Sequence, residues 1–303
     1  MPTTQSDGPA PSRCLPLLLA LFVGSGCAAL IYEIVWFQLL QLVIGSSAVS
    51  LGVLLGTFMG GMCLGSLLLP RLIGTDRHPL RVYATLEIGI GIIGIAVIFG
   101  LPFIDGLYVA SAASGWAGIC LRGVLAGVCL LPPTFLMGAT LPAVARWVET
   151  TPRGISWLGF FYGGNIAGAV FGCLLAGFYL LRVYDMLTAT FVAAAINLTV
   201  AIIALCVAQV TPHTAAEEAP AGIAAIPPPR SLGVYLAIGL SGLGALGAEV
   251  VWTRLLSLLI GGTVYTFSII LAVFLIGLGI GSSIGSFIAR ESKQPRALRP
   301  MAV

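Results

Sequence analysis

Eight stretches of this chain contain no Asp, Glu, Lys or Arg: Cys14–Tyr32, Ile34–Pro70, Ile88–Ile104, Gly123–Ala145, Gly154–Leu181, Met186–Ala216, Ser231–Ala248 and Leu255–Ala289. A bilayer core of about 30 Å is spanned by roughly 20 apolar residues in helical form. Most of these stretches meet that length, and inside lipid a backbone must satisfy its own hydrogen bonds, as a helix does. Charged residues make up 8% of the chain and hydrophobic ones 58%, against about 25% and 45–50% in soluble domains. A water-soluble fold is thereby excluded.

Ile34–Pro70 and Leu255–Ala289 exceed one crossing, and each carries a small polar break near its start, Gly45–Ser47 ("GSS") and Gly261–Thr263 ("GGT"). Read as tight turns, these breaks give eight helices, near 15–44, 47–73, 81–102, 118–147, 156–181, 186–209, 232–260 and 263–289. The expected fold class is all-α, a polytopic helical bundle in the membrane. Short cytoplasmic loops retain Lys and Arg. With the N-terminus inside, 11 of the 14 basic residues fall on the inner side and Arg122, Arg182 and Arg254 towards the outer. The expected location is therefore an inner (plasma) membrane with both termini cytoplasmic. The basic residues are spread over separate short loops and form no nucleic-acid-binding patch.

The chain contains an internal repeat. At a constant offset of 216, Ser25, Gly26, Ala29, Leu30, Glu33, Val35, Trp36, Leu39, Leu40, Leu42, Ile44 and Gly45 fall on identical residues from Ser241 to Gly261, and Leu55, Phe58, Gly61, Gly65 and Ser66 do so from Leu271 to Ser282. Six helices separate the two starts, so both copies insert in the same direction, a parallel repeat of the kind found in transporters. The expected organisation is a disordered N-terminus (1–14), a six-helix unit (15–209), an Ala/Pro-rich cytoplasmic linker (210–231), two helices of a second repeat (232–289) and a basic tail (290–303).

Glu33 and Glu249 are the first candidate functional residues. Glu33 is the nineteenth residue of its helix and Glu249 the eighteenth of its own, roughly 26 Å along at 1.5 Å per residue, and a carboxylate in hydrocarbon costs on the order of 3 kcal/mol by insertion scales. Either they form a cation or proton site or they are structural. Glu87, Arg122 and Asn165 are further polar residues at depth, with a Glu87–Arg122 pair as one arrangement and Asn165, beside a helix carrying Pro132–Pro133, as a cavity wall. Arg254 follows Glu249 by five positions, about 140° around a helix, so the two are not natural partners. Gln38 stands at the equivalent place in the first copy.

Trp36 and Trp252, three residues after each glutamate, suit an interfacial aromatic belt or a stacking platform for a cationic substrate. Glycines spaced by four (Gly52, Gly56, Gly60; Gly61, Gly65; Gly277, Gly281, Gly285) suit close helix packing. "GIGIIG" at Gly89–Gly94 lies inside a membrane run without the strand a dinucleotide site needs, and the "NLT" sequon at Asn197 lies inside the sixth helix. The seven cysteines lack metal-site spacing. No cofactor or metal is expected.

The segments "SGCAALIYEIVWFQLLQLVIGSS", "FMGGMCLGSLLLPRLIGTDRHPLRVYATLEIGIG" and "FYGGNIAGAVFGCLLAGFYLL" resemble the membrane portion of the bacterial spermidine-synthase-like proteins, in which a transporter-like part is fused to an aminopropyltransferase. Asp76 and Arg77 resemble the loop motif of major-facilitator transporters. Glu249, Trp252 and Arg254 match the family's Glu-x-x-Trp-x-Arg pattern, which Gln38 breaks in the first copy. The resemblance implies a transporter-like membrane protein linked to polyamine synthesis or to movement of a cationic solute. Its alternatives are a membrane anchor for a separate aminopropyltransferase and a truncated, inactive fragment. No segment suits the family's soluble domain, so a spermidine synthase label would rest on homology alone. The expected partners are the lipid bilayer, a separate aminopropyltransferase and a polyamine or other small cation.

Overall fold

The computed structural model describes residues 10–44, 47–74, 77–110, 115–149, 158–211 and 232–291. These form eight long helices and, among the described residues, no strand. In chain order they are α1 (Ala10–Ile44), α2 (Ser47–Leu72), α3 (Pro79–Ala110), α4 (Gly115–Glu149), α5, α6 (Met186–Val210), α7 (Leu232–Ile260) and α8 (Val264–Glu291). Helix α5 runs from Leu158 to Leu175, continues through a π-helical turn at Ala176–Leu180 and closes with a last α turn at Leu181–Val183. All eight are long and apolar enough to cross a membrane.

The surface supports the same reading. Phe99, Leu67, Ile92, Phe171 and Leu198 are exposed, whereas Glu33, Glu87 and Asn197 are buried. A soluble protein avoids contiguous exposed apolar surface; a bilayer makes such a surface favourable. The chain is a multi-pass membrane protein.

Helix α1 is central and packs along α5 and α6; α2 lies on α4, and α3 on α4 and α6. Two apolar clusters fill the bundle. One is centred on Ile31, Trp36 and Leu40 of α1 with Leu54 of α2; the other on Leu18, Tyr83, Val148 and Phe161. The close approach of α2 to α4 explains two of the glycines: a Cβ at Gly61 would meet the Thr134 side chain, and one at Gly65 the Phe135 carbonyl. Gly52, Gly56, Gly60, Gly277 and Gly281 face open space instead, so there the four-residue spacing carries no close contact. Gly285 lies outside the residues whose surroundings are described.

Helix α4 passes through Pro132, Pro133 and Pro142 as one helix. The Thr134 hydroxyl lies within hydrogen-bonding distance of the carbonyls of Leu130 (2.9 Å), Leu131 and Thr57, and its one proton can donate to any of them.

Helix α8 packs against α5 and α7, while α7 meets only α8 and α2 in extended contact. The turn between α7 and α8 falls at the "GGT" break. Gly261 has φ 104°, a left-handed conformation that glycine adopts without steric cost, and the Thr266 hydroxyl donates to its carbonyl at 2.8 Å. In the first copy the Ser50 hydroxyl, at the position equivalent to Thr266, donates to the Leu40 carbonyl at 3.0 Å. Residues 45 and 46 of the "GSS" break lie outside the described residues. So do Asp76 of the loop motif and almost all of the N-terminal segment, linker and tail. Helix α3 runs on to Ala110, beyond the expected end at 102.

Candidate functional site

Glu87 sits near the start of α3 and is fully buried. Ser25 Oγ of α1 donates to Glu87 Oε1 at 2.6 Å, and Asn197 Nδ2 of α6 donates to Glu87 Oε2 at 2.7 Å. The carboxyl group thus joins three helices that are far apart in sequence, using two neutral donors. The expected Glu87–Arg122 pair does not form: Arg122 Nη1 donates to the Val43 carbonyl at the far end of α1, at 3.0 Å.

Beside this group lies a cavity of about 310 Å³. Its polar wall is Ser25, Asn165 and Asn197, and its apolar wall includes Phe22, Met62, Met137 and Tyr162. Asn165 Nδ2 donates to the Phe22 carbonyl at 3.2 Å, which holds α5 against α1. Asn197 Oδ1 is buried and has no hydrogen-bond partner. A buried acceptor left open costs about 1–3 kcal/mol, and this one belongs to a residue of the cavity wall. Met137, Thr140 and Leu141, between Pro133 and Pro142 of α4, line the cavity together with Asn165.

Glu33 and Glu249 occupy a second polar region. Both are buried, and Oε1 of each lacks a hydrogen-bond partner. The Glu33 and Glu249 carboxyl groups lie near enough to interact electrostatically, and the Cys173 thiol of α5 lies near both. The two copies of the repeat therefore bring their acids together. The region is separate from the cavity, which neither glutamate lines. Ser25 and Glu33 lie eight residues apart on α1, about 12 Å along the axis.

The two tryptophans, identical in sequence context, have different surroundings. Trp252 is 54% exposed on α7, as a residue of an interfacial belt is. Trp36 is fully buried and stacked on Tyr32, with ring centroids 5.3 Å apart, so it belongs to no lipid-facing belt. The cause is position in the bundle, because α1 is surrounded and α7 is not. Arg254 is exposed and lines a small cavity with Gln41 and Thr253; Arg77 is exposed next to the start of α3.

Ser25 appears in the sequence only as part of the repeat and Asn197 only as a sequon, and Cys173, Thr253 and Ser268 carry no motif. The available signal for Asn197 is an amide in the middle of a charge-free run, where a polar side chain requires a partner. Compared with known families, curated proteins and solved structures, the chain matches none.

Proposed function

We propose that this protein carries a small aliphatic cation of the polyamine type across a bacterial inner membrane, with both termini cytoplasmic, and binds it in the cavity beside Glu87. The observation that carries the reading is the open acceptor Asn197 Oδ1 in the wall of a 310 Å³ cavity, backed by a carboxyl group that only neutral donors hold. An ammonium group in the cavity donates to Asn197 Oδ1 and to the Ser25 oxygen. The Glu87 charge stands one side chain behind them; at an effective dielectric of about 20 and a few Å, a unit charge is worth roughly 2–4 kcal/mol. The methylene chain of such a solute suits Phe22, Met62 and Met137, since thioether side chains adapt to flexible apolar ligands. The resemblance to the spermidine-synthase-like proteins points to the same class of solute.

The test uses the purified chain reconstituted in liposomes with radiolabelled putrescine or spermidine. The expected result is saturable uptake above that of protein-free liposomes, lowered at least tenfold by Glu87→Gln and by Asn197→Leu. Uptake equal to that of empty liposomes, or unchanged in both variants, overturns the reading.

A further inference from the structure

The polar region at Glu33 and Glu249 differs from the cavity in its chemistry and its size. Four buried side-chain oxygens there have no hydrogen-bond partner: Glu33 Oε1 on α1, Glu249 Oε1 and Thr253 Oγ1 on α7, and Ser268 Oγ on α8. Thr253 is one helical turn beyond Glu249, on the same face, and these two are the buried residues of α7. Ser268 is brought to the region by α5, because Cys173 Sγ donates to its carbonyl at 3.2 Å and its side chain packs against Gly177 in the π-helical turn. One turn beyond Glu33, Phe37 closes on Phe267 of α8, with ring centroids 4.2 Å apart.

An open hydroxyl is unremarkable alone, but two buried acids with an open oxygen each favour a positive charge beside them, and the Thr253 and Ser268 hydroxyls can turn a lone pair towards it. Beside this region lies a cavity of about 20 Å³ that Phe37, Thr253, Arg254 and Phe267 line and neither glutamate does. That is room for about one water molecule, which suits a small inorganic ion. Hard oxygen donors suit hard cations, and π-helical turns recur at functional sites. Discontinuous helices at repeat interfaces form ion sites in transporters.

We propose that Glu33 and Glu249, with Thr253 and Ser268, hold one small inorganic cation of single positive charge, a proton or a sodium ion, at the junction of the two repeat copies. The titratable and charged groups around it are the two acids themselves, Cys173 from α5, Arg254 on α7 and Tyr265 on α8; α2 presents Ala48 and Leu51 to the adjoining cavity. The site lies about 12 Å further along α1 than Ser25. Between the two levels on α1, Tyr32 has a buried hydroxyl without a partner.

The test uses the full chain in lipid nanodiscs and needs no organic solute, so it fails or succeeds independently of the solute reading. Binding of radiolabelled sodium is measured alongside the infrared carbonyl band of protonated carboxyl groups. If the ion is sodium, the wild type binds one per chain; Glu33→Gln and Glu249→Gln each weaken binding at least tenfold, and so does Thr253→Val combined with Ser268→Ala. If it is a proton, sodium does not bind, one carboxyl band is lost in either glutamine variant, and the band shifts in frequency in the hydroxyl double variant. Absence of both signals, or survival of the signal in either glutamine variant, overturns the proposal. Should a glutamine variant not yield monodisperse helical protein, Glu33→Asp and Glu249→Asp replace it, and an unchanged signal in both aspartate variants is equally fatal.

Discussion

Asn197 Nδ2 donates to Glu87 Oε2 at 2.7 Å, joining α6 to α3 across 110 residues of chain. With Ser25 on the other oxygen, this contact fixes the relative rotation of α1, α3 and α6 and places Asn197 in the cavity wall. In lipid, helices gain little from apolar contact with one another, and buried polar contacts help decide which faces meet.

Replacing Asn197 with leucine leaves Glu87 Oε2 buried without its donor, which costs about 1–3 kcal/mol. A lowered thermal midpoint in detergent is expected for Asn197→Leu. Thr199→Val serves as the reference. Thr199 is exposed and bonds within its own helix, so its loss should stay within about 0.5 kcal/mol.

The approach of α2 to α4 makes two glycines in one helix respond in opposite ways. A side chain at Gly65 meets the Phe135 backbone, while one at Gly56 meets open space. Gly65→Leu should destabilise by about 1–3 kcal/mol or more through overpacking. Gly56→Leu should be neutral or slightly stabilising, because leucine favours the helix over glycine. Equal midpoints for the two variants would contradict the packing described.

Asp185 lies between the spans of α5 and α6 and caps α6, accepting from the Thr188 backbone N–H at 2.7 Å. Hydrogen bonds from Thr188, from its hydroxyl first and from its backbone N–H second, favour the charged form and hold the carboxyl below its usual range. A lowered folded-state pKa stabilises above the unfolded value of about 4 and is lost as pH falls through the folded value. Amide exchange at Thr188, compared with that at Val200 in mid-helix to remove the intrinsic pH dependence, should therefore rise on acidification below about pH 4. In Asp185→Asn the ratio should be flat.

Cysteine accessibility separates the cavity from the second polar region. Cys63 is exposed and lines the cavity, Cys120 and Cys206 are exposed elsewhere, and Cys27 and Cys173 are buried. A membrane-permeant maleimide should label Cys63, Cys120 and Cys206 in the native protein and reach Cys27 and Cys173 only after denaturation. A cationic solute in the cavity should slow labelling of Cys63 while leaving Cys120 and Cys206 unaffected. Mass spectrometry of the labelled peptides reads both effects.

Which parts of this architecture were legible in the sequence follows from the range of the forces involved. The helices are local: a charge-free run of sufficient length and a small polar break are enough to place α1, α2, α7 and α8 and the turn at Gly261. The burial of Glu33 and Glu249 follows from the same runs, since an acid in lipid needs shelter. The Glu87 group is different, because Ser25, Glu87 and Asn197 become neighbours only through the rotation of three helices, and nothing near Asn197 distinguishes it from an idle sequon. The π-helical turn at Ala176 has no residue signature either. Trp36 and Trp252 make the point most directly: equal sequence context, opposite burial, decided by how many helices surround each one.

The inward stripe of α7 is acidic and hydroxylic while most of its remaining surface faces outward. During synthesis this segment emerges after the helices from α1 to α6, and until it docks its glutamate is exposed to hydrocarbon at about 3 kcal/mol. Helix α2 and the Phe37 turn of α1 stand against this face of α7, and α8 completes its surroundings afterwards. Assembly therefore has a preferred sequence of events, in which the earlier helices form a receptor and the late arrival is drawn in by its misplaced acid instead of by greasiness.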